Sequence, residues 1–298
     1  MSRRRLLLDA RMVGPNLHGI ARYVVSLARA LQKHSGEWVP TLLLTSDAPA
    51  AIREEFTHAL SPVGFLDPKE VVALPAIVGQ LGPRLLHLTS FSCSPLMTVP
   101  FVMTLHDAIH LQRPADYGWK QQAYYRLVVT PAAKRARAII TVSEDARTQL
   151  MRYLGLPADN LHVVHNGVEE RFLTIPPRPR EPFVLTICGP KAHKNTVTLI
   201  HALHHAPGVK LVVAGEVLPA LQVLSRTLGV ADRVTWLGPV GDDVLLDHLA
   251  RAQVFAFPSL LEGFGLPVLE AMAAGCPAVV SDIPVFHEVG AELSLIHI

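Results

Sequence analysis

The sequence predicts an α/β protein of two doubly wound, Rossmann-like parallel-sheet domains facing each other across a cleft. Three observations carry that prediction. Short, continuously apolar runs alternate with longer amphipathic segments. The alternation stops at Leu173–Pro182, which carries four prolines in ten residues. It then restarts with the same order of strand and helix, as two separately folded layers require. The length of 298 residues agrees with two domains, since a domain takes roughly 150 residues.

In the first half, Leu6–Asp9, Thr41–Thr45, Leu85–Leu88, Phe101–Leu105, Ala138–Val142 and His162–His165 read as buried strands. Gly19–His34, Asp116–Arg137 and Ser143–Tyr153 read as helices between them. Arg3–Arg5 followed by Leu6–Leu8 resembles the start of a secretory signal, but Asp9 and Arg11 end the apolar stretch too early, so it reads as a first strand. Residues 173–182 suit an exposed linker, giving expected domains 1–172 and 183–298. In the second half, Phe183–Cys188, Val209–Ala214, Val234–Leu237, Val254–Phe257 and Ala278–Ser281 read as strands. Thr196–His205, Leu218–Leu228, Asp243–Ala250 and Pro267–Ala274 read as helices.

Composition excludes several classes. Half the residues are hydrophobic and 17% are charged, which excludes intrinsic disorder. The net charge of +2 provides no polycationic face, so no nucleic-acid partner is expected. Cys93, Cys188 and Cys276 are far apart and odd in number, which argues against a disulfide framework and for a reducing compartment. No apolar run reaches the roughly 18 residues needed to span a bilayer. With no Asp-x-Asp pair and no cysteine cluster, a catalytic metal is not expected. A serine hydrolase lacks its Gly-x-Ser-x-Gly elbow, and a dehydrogenase lacks Gly-x-Gly-x-x-Gly after the first strand.

In doubly wound sheets the ligand lies beyond the carboxyl ends of the strands, so the strand-to-helix loops are where chemistry is sought. Ser259–Gly275 follows one strand and opens a helix, with Pro267 at its start and Gly275 at its exit. Gly263 and Gly265 remove Cβ atoms where backbone N–H groups can approach an anion. Glu262 is expected in the loop and Glu270 in the first helical turn, both as acceptors for neutral hydroxyls. Hydroxyls at both ends with phosphates between describe a nucleotide-sugar. Lys191, His193 and Lys194 precede Asn195 in another such loop and can neutralise a diphosphate. His106 and Asp107 end a strand, where they can bond a sugar hydroxyl or orient a nucleophile. Gly19, in the loop Gly14–Tyr23, is expected to let a ligand or the other domain come close.

Taken in order, these strings resemble the retaining glycosyltransferases of family 4, which have the GT-B fold. The likeness rests on Asp9–Arg11 with Gly19–Tyr23, Thr104–Asp107, Ala138–Glu144, Val163–Val168, the two glutamates Glu262 and Glu270 with seven residues between, and Val280–Glu288. It implies that Glu270 holds the ribose hydroxyls. Glu262 and the backbone of Gly263, Phe264, Gly265 and Leu266 hold the donor sugar and its phosphates. Lys194 stabilises the departing diphosphate, His106 touches the sugar near the reacting carbon, and Gly19 lies beside the acceptor with Arg22 and Asp107. Two departures stand out. His193 occupies the place of the usual Arg, leaving Lys191 to supply a second charge. The tail Ser294–Ile298 does not resemble the family's continuation, which implies that the second domain is incomplete, a truncated fragment with an unrelated tail.

The implied activity is a retaining, metal-independent transfer of a hexose, mannose by overall likeness, to a hydroxyl of a glycan or lipid-linked acceptor. The co-substrate is a nucleotide-diphospho-sugar, GDP-mannose or a UDP-sugar, with no other cofactor. Two alternatives stay open: a sugar-nucleotide epimerase of the same fold, and a non-catalytic nucleotide-sugar binder or inactive fragment. Segment 116–137 combines Tyr117, Trp119, Tyr124 and Tyr125 with Lys120, Arg126, Lys134, Arg135 and Arg137. That composition suits either a half-buried helix or peripheral contact with anionic lipid. The expected location is the cytoplasm, with such contact at the inner face of the membrane.

Overall fold

The computed structural model describes residues 4–15, 19–34, 36–176 and 178–290, together with the backbone of 296–297. Asn16–His18 of the glycine loop and Ser294, Leu295 and Ile298 of the tail lie outside the described residues. The chain divides into two compact units, Met1–Asn166 and Gly167–Ile298. The division falls ahead of the boundary expected at 172, and Phe172 gives the reason. Its ring, on the short helix Glu170–Leu173, is buried in the core of the second unit with Phe183, Phe255 and Val268. At the other end of the expected linker, Glu181 already pairs with Ala252 in the second sheet.

The first unit is a seven-stranded sheet. Its strands are β1 (Arg4–Asp9), β2 (Trp38–Leu44), β3 (His58–Leu60), β4 (Leu85–Leu88), β5 (Phe101–Thr104), β6 (Ile139–Thr141) and β7 (Leu161–Val163). They run parallel in the order β3-β2-β1-β4-β5-β6-β7. Alternate residues feed two cores, because successive side chains of a strand point to opposite faces. Leu7, Leu43, Leu86 and Met103 pack on one side. Leu6, Leu8, Leu42 and Leu44 pack on the other, against Ala21, Val24, Val25 and Ala28 of the helix Gly19–His34. Burial on both faces is why these strands read as unbroken apolar runs.

The expected single helix over 116–137 is three pieces. Pro114–Tyr124 is interrupted at Gly118, whose φ of 75° and ψ of 171° are not helical. A wide π turn occupies Tyr125–Val129, and Thr130–Arg135 follows. Pro131 lacks the N–H that would bond to the Leu127 carbonyl, so the regular ladder cannot continue there. The helices Ala50–Glu55 and Glu70–Leu81 were not read from the sequence, nor was β3. Pro75 sits inside Glu70–Leu81, and β3 is a three-residue edge strand with only Ala59 turned to the core, so neither carries its usual signal.

The second unit is a six-stranded parallel sheet of β8 (Glu181–Cys188), β9 (Lys210–Gly215), β10 (Val234–Gly238), β11 (Ala252–Phe257), β12 (Ala278–Val280) and β13 (Ile296–His297). The order is β10-β9-β8-β11-β12-β13. Leu185, Phe255 and Phe257 face one core, and Cys188, Leu211, Val213 and Ala256 the other. In each unit the strand order reverses once, between β1 and β4 and between β8 and β11. Neighbouring connections there leave on opposite faces, and a crevice opens beyond the strand ends. All three cysteines are free and buried, and burial pushes their thiols up.

At the β1 crevice a buried ionic cluster closes the strand end. Arg11 donates from Nε and Nη2 to the two carboxylate oxygens of Asp9, each at 2.8 Å. Its Nη1 reaches Glu70 Oε2 at 3.1 Å and the Gly64 carbonyl at 3.0 Å. Ser92 and the Tyr124 hydroxyl donate to the two Glu70 oxygens at 2.5 and 2.7 Å. The guanidinium and both carboxylates are at most 1% exposed. Removing one member of such a cluster strands an opposite charge in the interior. Arg11→Met is therefore expected to lower the unfolding free energy by about 3–5 kcal/mol, measured by urea denaturation. Arg29→Met, which breaks an exposed pair with Glu55, is expected to cost about 0–1 kcal/mol.

Candidate functional site

The second unit carries the denser constellation. Beyond β8 the chain runs through Gly189, Pro190 and Lys191 into a 3-10 turn at Ala192–Lys194. Asn195 then takes a left-handed φ of 53° and starts the helix Thr196–His205. Asparagine accepts that conformation at lower cost than most residues, and its Oδ1 takes a hydrogen bond from Thr198 Oγ1 at 2.9 Å. Beyond β11 the chain runs through Ser259 and Glu262 to Gly265, where the helix Leu266–Ala273 begins.

These two loops are joined through one backbone oxygen. The His193 carbonyl accepts from the Leu260 N–H at 2.7 Å and from Ser259 Oγ at 3.3 Å. The join brings the side chains that follow into reach. Lys194 Nζ donates to Glu262 Oε1 at 2.7 Å, with the Lys194 side chain 28% exposed and that of Glu262 11% exposed. The same ammonium lies 5.4 Å from the centroid of the buried Phe257 ring, on the electron-rich face that attracts a cation. Gly265 has a φ of 93°, and a Cβ there would stand 2.6 Å from Cε1 of the buried Phe286 ring. Only glycine meets both conditions.

The structure thus places Lys194 and Glu262 together, with Gly263, Phe264 and Gly265 buried beside them. Leu266 is half-buried, and Lys191 is exposed at the mouth of its loop. His193 is 4% exposed, so what it visibly contributes is the carbonyl that joins the loops. Glu270 is also 4% exposed. It stands in the second turn of its helix rather than the first, because the helix starts one residue earlier than expected, at Leu266.

In the first unit His106 follows β5. Its Nε2 lies 3.0 Å from the Thr89 carbonyl. A carbonyl can only accept, so Nε2 carries the proton and the neutral ring leaves Nδ1 as its acceptor. Burial lowers the pKa of His106, against the opposing pull of the Thr89 carbonyl and of Asp107. Asp107 Oδ1 accepts the Ile109 N–H at 2.9 Å and so braces the turn that follows. Gly19 is exposed at the head of its helix, with nothing within 4 Å of the Cβ position. Arg22 is half-buried on the same helix. His106 and His110, like His201 and His205, stand four residues apart. Among the described residues no three His, Cys, Asp or Glu side chains gather as a metal-ligand set.

Sequence reasoning missed the residues under His106. Tyr23 meets its ring edge to face, with centroids 4.8 Å apart. The Tyr23 hydroxyl lies 3.1 Å from Thr104 Oγ1, which in turn lies 2.8 Å from His87 Nε2. The available signal was a lone histidine in the otherwise apolar run Leu85–Leu88. Burial, reinforced by nearby His106, lowers the pKa of His87 to about 4. The unfolded chain therefore takes up a proton below about pH 6.5 that the folded chain refuses until about pH 4. Stability linked to His87 is complete above that window and is lost as the pH falls through it, at about 1.4 kcal/mol per unit. Between pH 7 and 4.5, wild type is expected to lose about 2 kcal/mol more than His87→Gln in urea titrations. Equal losses would remove His87 as the source.

Each unit is thus a doubly wound α/β module carrying polar side chains at its topological switch point, the arrangement of a two-module GT-B protein. Comparison with known families identifies the class. The profile of the family described as Glycosyltransferase Family 4 matches residues 17–172, and that described as Glycosyl transferases group 1 matches 170–294. The chain belongs to glycosyltransferase family 4. It is 30% identical to the O-antigen chain mannosyltransferase RfbU of Salmonella typhimurium, over 66% of this chain and 57% of that one. It is 24% identical to the serotype-specific mannosyltransferase WbdA of Escherichia coli, over 92% of this chain and 39% of that one. The chain therefore spans little more than half of the first relative and less than half of the second. Among solved structures, Anabaena HepE in complex with UDP and glucose superposes with a TM-score of 0.71 at 19% identity, over 96% of this chain and 82% of that one.

Proposed function

We propose that this chain moves a hexose, mannose as the relatives' names suggest, from a nucleotide-diphospho-sugar to a hydroxyl of a glycan or lipid-linked acceptor. The observation that carries the reading is the Lys194–Glu262 pair, held between two joined loops at the β8/β11 crevice. The physical problem in such a transfer is the charge that develops on the departing diphosphate. A preorganised cation and free helix-start N–H groups aimed at that charge are the largest catalytic term available. Lys194 supplies the cation, and the backbone at Gly265 and Leu266 supplies the N–H groups. Glu262 accepts hydroxyls of the sugar and Glu270 those of the ribose. Lys191 adds a second positive charge near the mouth.

On this reading His106 serves a sugar hydroxyl through Nδ1, and Gly19, Arg22 and Asp107 serve the acceptor. The sugar becomes oxocarbenium-like, and the acceptor attacks from the face the diphosphate leaves, so configuration is retained without an enzymic nucleophile. GDP-mannose and UDP-sugars are the donors to screen first, and neutralisation of the leaving group by Lys194 needs no metal ion. Lys194→Ala is expected to lower turnover about tenfold to a thousandfold, measured by mass spectrometry of products from a donor and acceptor panel. Unchanged turnover would remove the leaving-group role. Donor binding without any product would favour a nucleotide-sugar binder instead.

The exposed side of residues 114–137 supports a peripheral lipid contact. Tyr124 and Tyr125 turn inward, Tyr124 to Glu70 and Tyr125 into a stack with Phe91 at 5.6 Å. Tyr117 packs on His110. Trp119 is 76% exposed and Leu127 69% exposed, and Lys120, Arg126, Lys134 and Arg137 of the same segment are exposed as well. Exposed apolar side chains and cations on one segment suit an anionic bilayer surface. No helix among the described residues is long and apolar enough to cross a membrane. Sedimentation with anionic vesicles is expected to fall severalfold for Trp119→Ser and to vanish with uncharged vesicles. Equal pelleting of wild type and variant would dismiss this surface.

A further inference from the structure

The ion pair at the β8/β11 crevice has a second consequence. Lys194 already has an anion at 2.7 Å, and Glu262, at 11% exposure, has little water with which to replace that lysine. Any diphosphate that takes the ammonium must take it from Glu262. A bare nucleoside diphosphate offers oxygens to Lys194 and nothing to Glu262. It also brings like charge up to a nearly buried carboxylate, which raises the cost of separating the pair. A nucleotide that carries a sugar is different, because its hydroxyls donate to the carboxylate as the lysine leaves it. In the paired state the ammonium lies 5.4 Å from the centroid of the Phe257 ring.

We propose that Glu262 is the residue that makes this site prefer a sugar-bearing nucleotide over the free nucleoside diphosphate, by holding Lys194 until sugar hydroxyls take the lysine's place. This rests on the donor-site reading given above. It adds that the carboxylate works against retention of the product. When the sugar departs, Glu262 loses its hydroxyl partners and reclaims Lys194, and the diphosphate loses its cation. Glu262 therefore serves donor selection and product release through one contact.

The test is calorimetric titration of wild type, Glu262→Gln, Lys194→Ala and the double variant with GDP, UDP, GDP-mannose and UDP-glucose. Thermal melting confirms that each variant is folded, and Glu262→Ala stands in for Glu262→Gln if the amide variant is not. The expected result is that Glu262→Gln binds the free diphosphate about three- to tenfold more tightly than wild type, while its affinity for the matching sugar nucleotide does not rise. In the Lys194→Ala background the Glu262 change is expected to give no gain, since the coupling between the two residues is what the cycle isolates. A folded Glu262→Gln that binds diphosphate no better than wild type overturns the inference and leaves the donor-site reading standing. So does a gain of equal size without Lys194. Absence of nucleotide binding in wild type and variants alike overturns both. Binding by Glu262→Gln alone supports the inference in its strongest form.

Discussion

One backbone oxygen organises the second unit's working face. The His193 carbonyl receives the Leu260 N–H and the Ser259 hydroxyl, and so ties the loop after β8 to the loop after β11. Neither loop is held by a sheet ladder at that point. Without the tie, Lys194 and Glu262 would each be a flexible charged side chain on its own surface loop, where an ion pair is worth little. With it, the two follow from a fixed start and meet over the Phe257 ring. The parallel sheet does the prior work, since the reversal of strand order puts the carboxyl ends of β8 and β11 side by side.

The two units treat buried charge in opposite ways. At the end of β1, Arg11 is saturated by Asp9, Glu70 and the Gly64 carbonyl, and Glu70 is saturated by Ser92 and Tyr124. Nothing there can change partners without stranding a charge, so the cluster fixes geometry. It ties β1 to the helix Glu70–Leu81 and, through Tyr124, to the broken helical segment that follows β5. At the end of β8 the Lys194–Glu262 pair has fewer members and is partly exposed.

The fold was legible because both faces of each sheet are covered. Apolar runs such as Leu6–Leu8 and Leu42–Leu44 have no solvent side to confuse with a helix. Elements that depend on tertiary support were not legible. Gly118 and Pro131 carry local breaks that the surrounding helical pattern hides, and β3 is only three residues long, with Ala59 alone turned to the core, too short to show a period. The boundary read at 172, where the two family profiles meet, falls six residues after the division between the compact units for a related reason. Prolines mark where the chain is extended, whereas Phe172 marks where it is already committed to a core. At the site, residue types and order pointed to Lys194, Glu262 and the glycine loop. The join through His193 was invisible, since a backbone carbonyl has no signature in sequence. His87, Thr104 and Tyr23 were hidden because a polar contact between separate elements leaves no local periodicity.

The packing of Phe286 against Gly265 also bears on how such a chain can drift. The space over Gly265 is filled by the ring, while the left-handed backbone is a second, independent demand. A smaller side chain at 286 would relax the first demand and leave the second. No single substitution at either position frees the other, so the aromatic and the glycine are physically coupled. Positions 260 and 261 in the same loop carry neither demand, since their side chains are not locked between a ring and a turn.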